Sequence, residues 1–305
     1  MLNISRQLSC LLGNSGRLVL NRFFSATPSQ HQEIASQPLV RRDDYDFGAT
    51  VLTLNNPKKA NALSYDMLCA IEKNIQSASE DKLTRAIIIK SEGKVFSAGH
   101  DLRELTTERG KEFHAMVFEK CSDVMKMVQD IPVPIIAQVS GLATAAGCQL
   151  VASCDIAVAA ESARFATPGV HVGLFCSTPA VAIGRCIPRK VAMEMLLTGE
   201  PISAQEALLY GLVSRVVPDD QLEMATMTLA QKICTKSKTV IALGKLVFNR
   251  QMADSRDGAY CFATDAMVEN AKLVDCQEGI NAFIEKRKPK WTHGGDQVQT
   301  TPKSN

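Results

Sequence analysis

From Ser140 to Asp155 the chain reads Ser-Gly-Leu-Ala-Thr-Ala-Ala-Gly-Cys-Gln-Leu-Val-Ala-Ser-Cys-Asp, a run in which most side chains are small. Small residues at a helix start let a ligand approach the backbone, and the first N–H groups of a helix have no intrahelical acceptor and favour negative charge. Amides aimed at an oxygen on which charge develops form an oxyanion hole. Two apolar runs flank this stretch, residues 134–139 and 156–160, each of strand length. The spacing therefore predicts strand, turn, short helix, strand, with the helix start as the place for chemistry.

No residue from Ile131 to Cys154 is charged, a length that suggests a membrane span. Gln138, Ser140, Gly141, Gln149 and Ser153 interrupt it and two prolines open it, so it reads as buried core. With 46% hydrophobic and 22% charged residues, the 305-residue chain is globular, with room for one large domain and an appendage. A net charge of +2 gives no electrostatic case for nucleic acid. Ten cysteines at irregular spacings, without a C-x-x-C pair, read as reduced thiols; no metal site is expected. Residues 1–32 differ in kind: they carry Arg6, Arg17 and Arg22, several serines, and no acid before Glu33. That is the composition of a mitochondrial targeting peptide, and Arg22-Phe-Phe-Ser25 resembles a matrix-protease cleavage site.

Beyond a polar linker at 33–44, residues 49–54 alternate as a strand ended by Asn55-Asn56-Pro57. Ser64 is placed to cap a helix that lines up Met67, Leu68, Ile71 and Ile75. Residues 85–90 read as a central strand, apolar on both faces. A loop spans 93–103. A long helix over 111–130 puts Phe113, Met116, Val117, Cys121, Val124, Met125 and Val128 on its buried side, and Pro132 stops it. After the central stretch, 165–173 is a loop, and Thr178 with Pro179 reads as the cap and first residue of a helix. Ser203-Ala-Gln-Glu206 is a capping box whose helix ends at Gly211, and 212–217 is a late strand. From Asp219 the chain is helical, with breaks near Ser237, Ser255 and Gln277. Strands alternating with helices argue for an α/β fold with a largely parallel sheet. The division is a core over 45–217, a helical region over 218–290, and a disordered tail over 291–305.

Seven motifs in register resemble the crotonase (enoyl-CoA hydratase/isomerase) superfamily. They are Asn55-x-Pro-x-x-x-Asn-Ala-Leu63, Phe96-Ser-Ala-Gly-His-Asp-Leu102, the run from Ala145 to Asp155, Phe165-Ala-Thr-Pro168, Leu197-Thr-Gly-Glu-Pro-Ile-Ser-Ala-Gln-Glu-Ala207, Gly211-Leu-Val, and Phe283-Ile-Glu-Lys-Arg-Lys288. The resemblance covers residues 45–290. It implies a ClpP-like β-β-α spiral core of two stacked sheets, a helical C-terminal region, and a homotrimer or hexamer. It also implies a CoA thioester as ligand, with no tightly bound cofactor. By family pattern, Lys58, Lys59 and Ala60 with Ala98, Asp101 and Leu102 cradle the adenine and pantetheine. Arg103 stands where many members place a phosphate-binding base, and Phe283 with Lys286 could reach a neighbour's CoA. Lys58, Lys59 and Arg103 can equally be read as solvated surface cations.

The family's two oxyanion donors fall on the backbone N–H groups of His100 and Ala146; for His100 the amide, rather than the ring, is the implied functional group. Hydratases of the family add water with two glutamates, and here those positions hold Gln149 and Gly169. An amide cannot take up a proton at neutral pH and glycine offers no group at all. His171, two residues on, is a candidate surrogate base, followed by Ser177 and Thr178; Asp155, Glu200 and Glu206 read as structural. The expectation is an acyl-CoA-binding protein of fatty-acid metabolism in the mitochondrial matrix, without a membrane span and without ordinary hydratase turnover. Two alternatives stand beside it. One is an enzyme (thioesterase, decarboxylase or isomerase) using the hole with one surrogate group, and the other is a nonenzymatic partner subunit. Restoring both carboxylates, Gln149→Glu with Gly169→Glu, is expected to create some hydratase activity.

Overall fold

A computed structural model describes residues 37–298. The targeting peptide expected at 1–32 lies outside the described residues, as do 33–36 and 299–305. In chain order the elements are β1 (Val40–Asp44), β2 (Ala49–Leu54), α1 (Tyr65–Glu80), β3 (Ala86–Ser91), β4 (Val95–Ser97), α2 (Gly110–Asp130), β5 (Ile135–Val139), β6 (Leu142–Thr144), α3 (Ala146–Ser153), β7 (Ile156–Ala160), β8 (Arg164–Ala166), α4 (Ser177–Cys186), α5 (Arg189–Thr198), β9 (Ile202–Ser203), α6 (Ala204–Tyr210) and β10 (Arg215–Val217). Four helices follow: α7 (Leu222–Cys234), α8 (Lys238–Gln251), α9 (Arg256–Ala271) and α10 (Val274–Ile284).

Each of β3, β5 and β7 is followed by a short strand that drops into a second layer. The six-stranded sheet has the order β1-β2-β3-β5-β7-β10, and the four-stranded sheet β4-β6-β8-β9. Thus β3-β4-α2, β5-β6-α3 and β7-β8-α4 are successive β-β-α turns of one spiral, which is the crotonase fold. The large sheet is parallel except for the β1–β2 pair, with Ile87 opposite Ile135 and Ala137 opposite Ala157. Because side chains alternate along a strand, Ile87 and Ile89 face α1, α2 and α3, packing with Ile71, Val124 and Leu150. Ile88 points the other way with Val51, Ile136 and Val158, onto Leu222, Leu229 and Ala230 of α7. Burial on both faces is why β3 is apolar throughout.

Local signals are met where side chains can act within one turn. Ser64 Oγ accepts from Met67 N at 3.3 Å, and the Ser203–Glu206 capping box forms in both directions. Ser237 and Ser255 cap α8 and α9, but the next break falls at Lys272–Leu273, and Gln277 lies inside α10. Several expectations are corrected. Residues 40–44, read as linker, form β1, because Arg42 pairs with Asp44 and Asp81 and lets a charged strand sit at the sheet edge. Val95–Ser97, and residues 165–166 at the start of the other segment read as loop, belong to strands β4 and β8 of the second sheet. Helix α4 starts two residues earlier than predicted, without a side-chain cap. Met116 is exposed on α2. Residues 291–298, read as disordered tail, are tied down: Asp275 accepts from Thr292 N at 2.7 Å and His293 N at 3.0 Å, and Trp291 Nε1 donates to Thr235 O.

Asp155 is structural. It accepts from Ile135 N at 2.7 Å and pairs with buried Lys245 Nζ at 2.8 Å, while burial, opposed by that lysine, raises its carboxyl above the ordinary range. Lys245 also donates to Val128 O and Val133 O, pinning α8 to the end of α2. Among the described residues no helix is long and apolar enough to cross a membrane, and no cluster of three or more ligating side chains could hold a metal.

Candidate functional site

The site is built where two backbone segments cross. The first runs from β4 into residues 97–103. Asn61, fully buried, holds its base: Oδ1 accepts from Asn56 N at 2.8 Å, and Nδ2 donates to Glu92 O and Val95 O at 2.9 and 2.8 Å. Ser97 Oγ donates to Asn61 O and accepts from Gly99 N. Ala98 N donates to Ala60 O, and Leu63 N to Gly99 O. Ala60 and Asn61 both take positive φ near 49°, the sharp corner that brings residues 60–63 against this segment.

The second segment is the β6–α3 corner. Ala145 sits at φ 48° and ψ −119°, a conformation that favours glycine and costs a residue with a Cβ about 1–3 kcal/mol. The strain is held by Ala145 N donating to Ala166 O at 2.9 Å. The two segments touch at glycines. A Cβ on Gly99 would lie 2.8 Å from Ala145 Cβ and 3.2 Å from Ala146 N, and one on Gly147 would lie 2.6 Å from Ser97 O. The amides of His100 and Ala146 are thus brought together, and neither donates to a protein acceptor among the described residues. Ala146 is the first residue of α3, so its N–H lies at the positive end of the helix.

These amides border a cavity of about 500 Å³. Its head is Ala98, His100, Ala145 and Ala146; Leu102 and Phe118 form one wall, and Pro168 and Gly169 with residues 171–172 and 174–179 the other. No carboxylate lines it. A smaller cleft of about 370 Å³ shares Leu102, Phe118, Val172 and Leu174 with it.

The sequence-predicted residues divide. Ala98, His100, Leu102, Ala146, Gly169 and His171 come together at the cavity. Gln149 is buried in α3 and is not among the lining residues; its Oε1 has no partner among the described residues. Gly169 closes a tight turn in which Leu174 N donates to Gly169 O at 2.9 Å. A Cβ there would lie 2.0 Å from Leu174 O and 2.8 Å from Cys176 Sγ. The turn is folded on a glycine, so a glutamate at this position requires the Leu174 carbonyl to move. The His171 ring is exposed and its Nε2 donates to Thr198 O at 2.8 Å, which leaves only Nδ1 as a base.

Arg103 and Lys59 converge on Asp101, at 3.0 and 4.0 Å, and the Arg103 hydrogen bond holds the Asp101 carboxyl below its ordinary range. Arg103, Lys58 and Lys59 are exposed. Phe283 and Lys286, at the end of α10, are also exposed and do not line the cavity of their own chain. Sequence reasoning missed Phe118 and Cys176. Cys176 is a buried thiol beside Gly169, its pKa raised by burial; a lone Phe in an amphipathic helix and a cysteine among ten give no sequence signal.

An α/β spiral with two unpartnered amides, one of them at the head of a short central helix, defines a class of protein. A family model described as enoyl-CoA hydratase/isomerase matches residues 46–294, and the chain belongs to that family. It is similar to enoyl-CoA hydratase domain-containing protein 3, mitochondrial, of Xenopus laevis, with 58% identity over 248 residues covering 81% of this chain and 84% of the relative. The Homo sapiens protein of that name is 53% identical over 272 residues, covering 89% and 90%. The crystal structure of human enoyl coenzyme A hydratase domain-containing protein 3 superposes with a TM-score of 0.82 at 55% identity, covering 83% of this chain and 100% of that one.

Proposed function

We propose that this protein binds an acyl-CoA thioester in the mitochondrial matrix, in fatty-acid metabolism, and does not carry out the classical hydration of a 2-enoyl thioester. One observation carries the reading: two free amides border a cavity that no carboxylate lines. The amides suit a thioester oxygen, and an apolar cavity of this size suits an acyl chain with the pantetheine end. Hydration needs a group to activate water and one to deliver a proton at C2. Position 169 has no side chain, and position 149 offers an amide away from the lining. Lys58, Lys59, Ala60, Asp101 and Arg103 would lie along the CoA. The mitochondrial names of the relatives and the basic, acid-free leader support the compartment.

A homotrimer or hexamer fits the C-terminal helices. Neither α8 nor α9 has a fully buried residue, and Leu246, Phe248, Tyr260 and Met267 are exposed on them, as is Met252 just past α8. Phe283 and Lys286 would then meet a neighbour's ligand. The test is calorimetry with an acyl-CoA against the S-alkyl thioether that lacks its carbonyl. Two neutral hydrogen bonds contribute about 1–3 kcal/mol, so the thioether is expected to bind roughly 5- to 150-fold more weakly. Equal affinities would remove the oxyanion hole from the account; no binding of either would favour a nonenzymatic partner subunit.

A further inference from the structure

His100 lines the same cavity, and acyl-CoA binding as proposed above leaves its ring without a task. Its Nδ1 lies 3.3 Å from Leu63 O. A carbonyl only accepts, so Nδ1 carries the proton and Nε2 the lone pair. Nε2 is buried and has no hydrogen-bond partner among the described residues. Burial pushes this imidazole below its ordinary pKa of 6.5, the Leu63 bond opposing the shift, so the ring is a neutral base at neutral pH. The other candidates are less free: His171 Nε2 is engaged by Thr198 O, and burial raises the Cys176 thiol. The ring also belongs to the residue whose amide borders the hole, so it is tethered one residue from the place where a thioester oxygen would be held. Phe118 packs edge-on against the ring, with centroids 5.3 Å apart and planes at 89°. Phe118 also faces the two smaller clefts next to the cavity, which give it room to turn aside for a ligand.

We infer that the His100 imidazole is a catalytic base that takes a proton from C2 of the bound acyl-CoA through Nε2. The inference rests on the acyl-CoA reading above. The C2–H bond breaks, its proton goes to Nε2, and its electron pair moves through C1 to the thioester oxygen. The enolate is held by the His100 and Ala146 amides. Return of a solvent-exchanged proton from the imidazolium to C2 restores the thioester, with nothing oxidised or reduced. The reaction class is enolisation: exchange at C2, or epimerisation of a 2-branched acyl thioester.

The test is deuterium uptake at C2 of butyryl-CoA in heavy water, followed by mass spectrometry, with calorimetry on the same samples. His100→Asn keeps the main-chain amide and an N–H able to hold Leu63 O, and it removes the lone pair. Wild type is expected to exchange, with a rate that falls as the ring protonates in acid. At a concentration where calorimetry shows the variant to be saturated, it should exchange on the order of 100-fold more slowly, without that inflection. Phe118→Ala, which removes the aromatic ring packed edge-on against the imidazole, should exchange faster than wild type. Binding without exchange in wild type, undiminished exchange in His100→Asn, or no acceleration in Phe118→Ala with binding intact would each overturn the inference and leave the binding proposal standing. Failure of wild type to bind butyryl-CoA would overturn both.

Discussion

Replacing Gly169 by alanine adds one methyl group at a point where the structure has no room. That carbon would sit 2.0 Å from Leu174 O and 2.8 Å from Cys176 Sγ, whereas even a close carbon–oxygen contact needs about 3.3 Å. The Leu174 carbonyl would have to retreat by more than about 1 Å, and the Leu174 N to Gly169 O bond of 2.9 Å would be lost with the turn. Overpacking costs about 1–3 kcal/mol and the broken hydrogen bond about 1 kcal/mol, so the loss should be about 2–4 kcal/mol. Urea unfolding reads it as a lower midpoint at unchanged slope, and hydrogen exchange at the Leu174 amide localises it. A loss below about 0.5 kcal/mol, the range of an inconsequential surface change, would refute the reasoning. The same geometry predicts that Gln149→Glu with Gly169→Glu gains no hydratase activity, because the turn must reshape before a glutamate can point into the cavity.

Three further outcomes follow from the site's frame. Asn61→Ala removes the partner of Asn56 N, Glu92 O and Val95 O; at about 1 kcal/mol for each hydrogen bond lost from these half-buried or exposed groups, thermal unfolding should show a loss of about 2–3 kcal/mol, together with weakened acyl-CoA binding. Ala145→Gly relieves the positive-φ strain at a smaller cost in unfolded-chain entropy, and a stabilisation of about 0.5–2 kcal/mol is expected in urea; destabilisation would mean that the corner is unstrained. For His100, the folded pKa lies below the unfolded value of 6.5, so the unfolded state binds more protons between the two. Its contribution is fully present above 6.5 and is lost as pH falls toward the folded value. Wild type should therefore lose more stability than His100→Asn on acidification from neutrality, and equal losses would contradict the buried, neutral ring.

Elements with a local signature were legible in the sequence. Ser64 and the Ser203–Glu206 box act within one helical turn, and β3, β5 and β7 are long enough for their apolar character to show. The second sheet was not, because β4, β6 and β8 have three residues each, too few for a period of two to appear. The charged strand β1 is specified by Arg42 meeting Asp81, 39 positions away. At the site, the motifs placed His100, Ala146 and Gly169 around one cavity. The frame that aims the amides was hidden: Asn61 reaches Val95, and Ser97 reaches back to Asn61. Nor does a glycine in Thr-Pro-Gly-Val announce that Leu174 O fills the place of its side chain.

The most direct test incubates the purified protein with a 2-enoyl-CoA in ¹⁸O-labelled water, at a concentration where calorimetry shows the site to be filled, and follows label entering the acyl group by mass spectrometry. The account predicts a filled site and no 3-hydroxyacyl-CoA above the protein-free control. Steady accumulation of labelled 3-hydroxyacyl-CoA, with turnover proportional to protein, would contradict it.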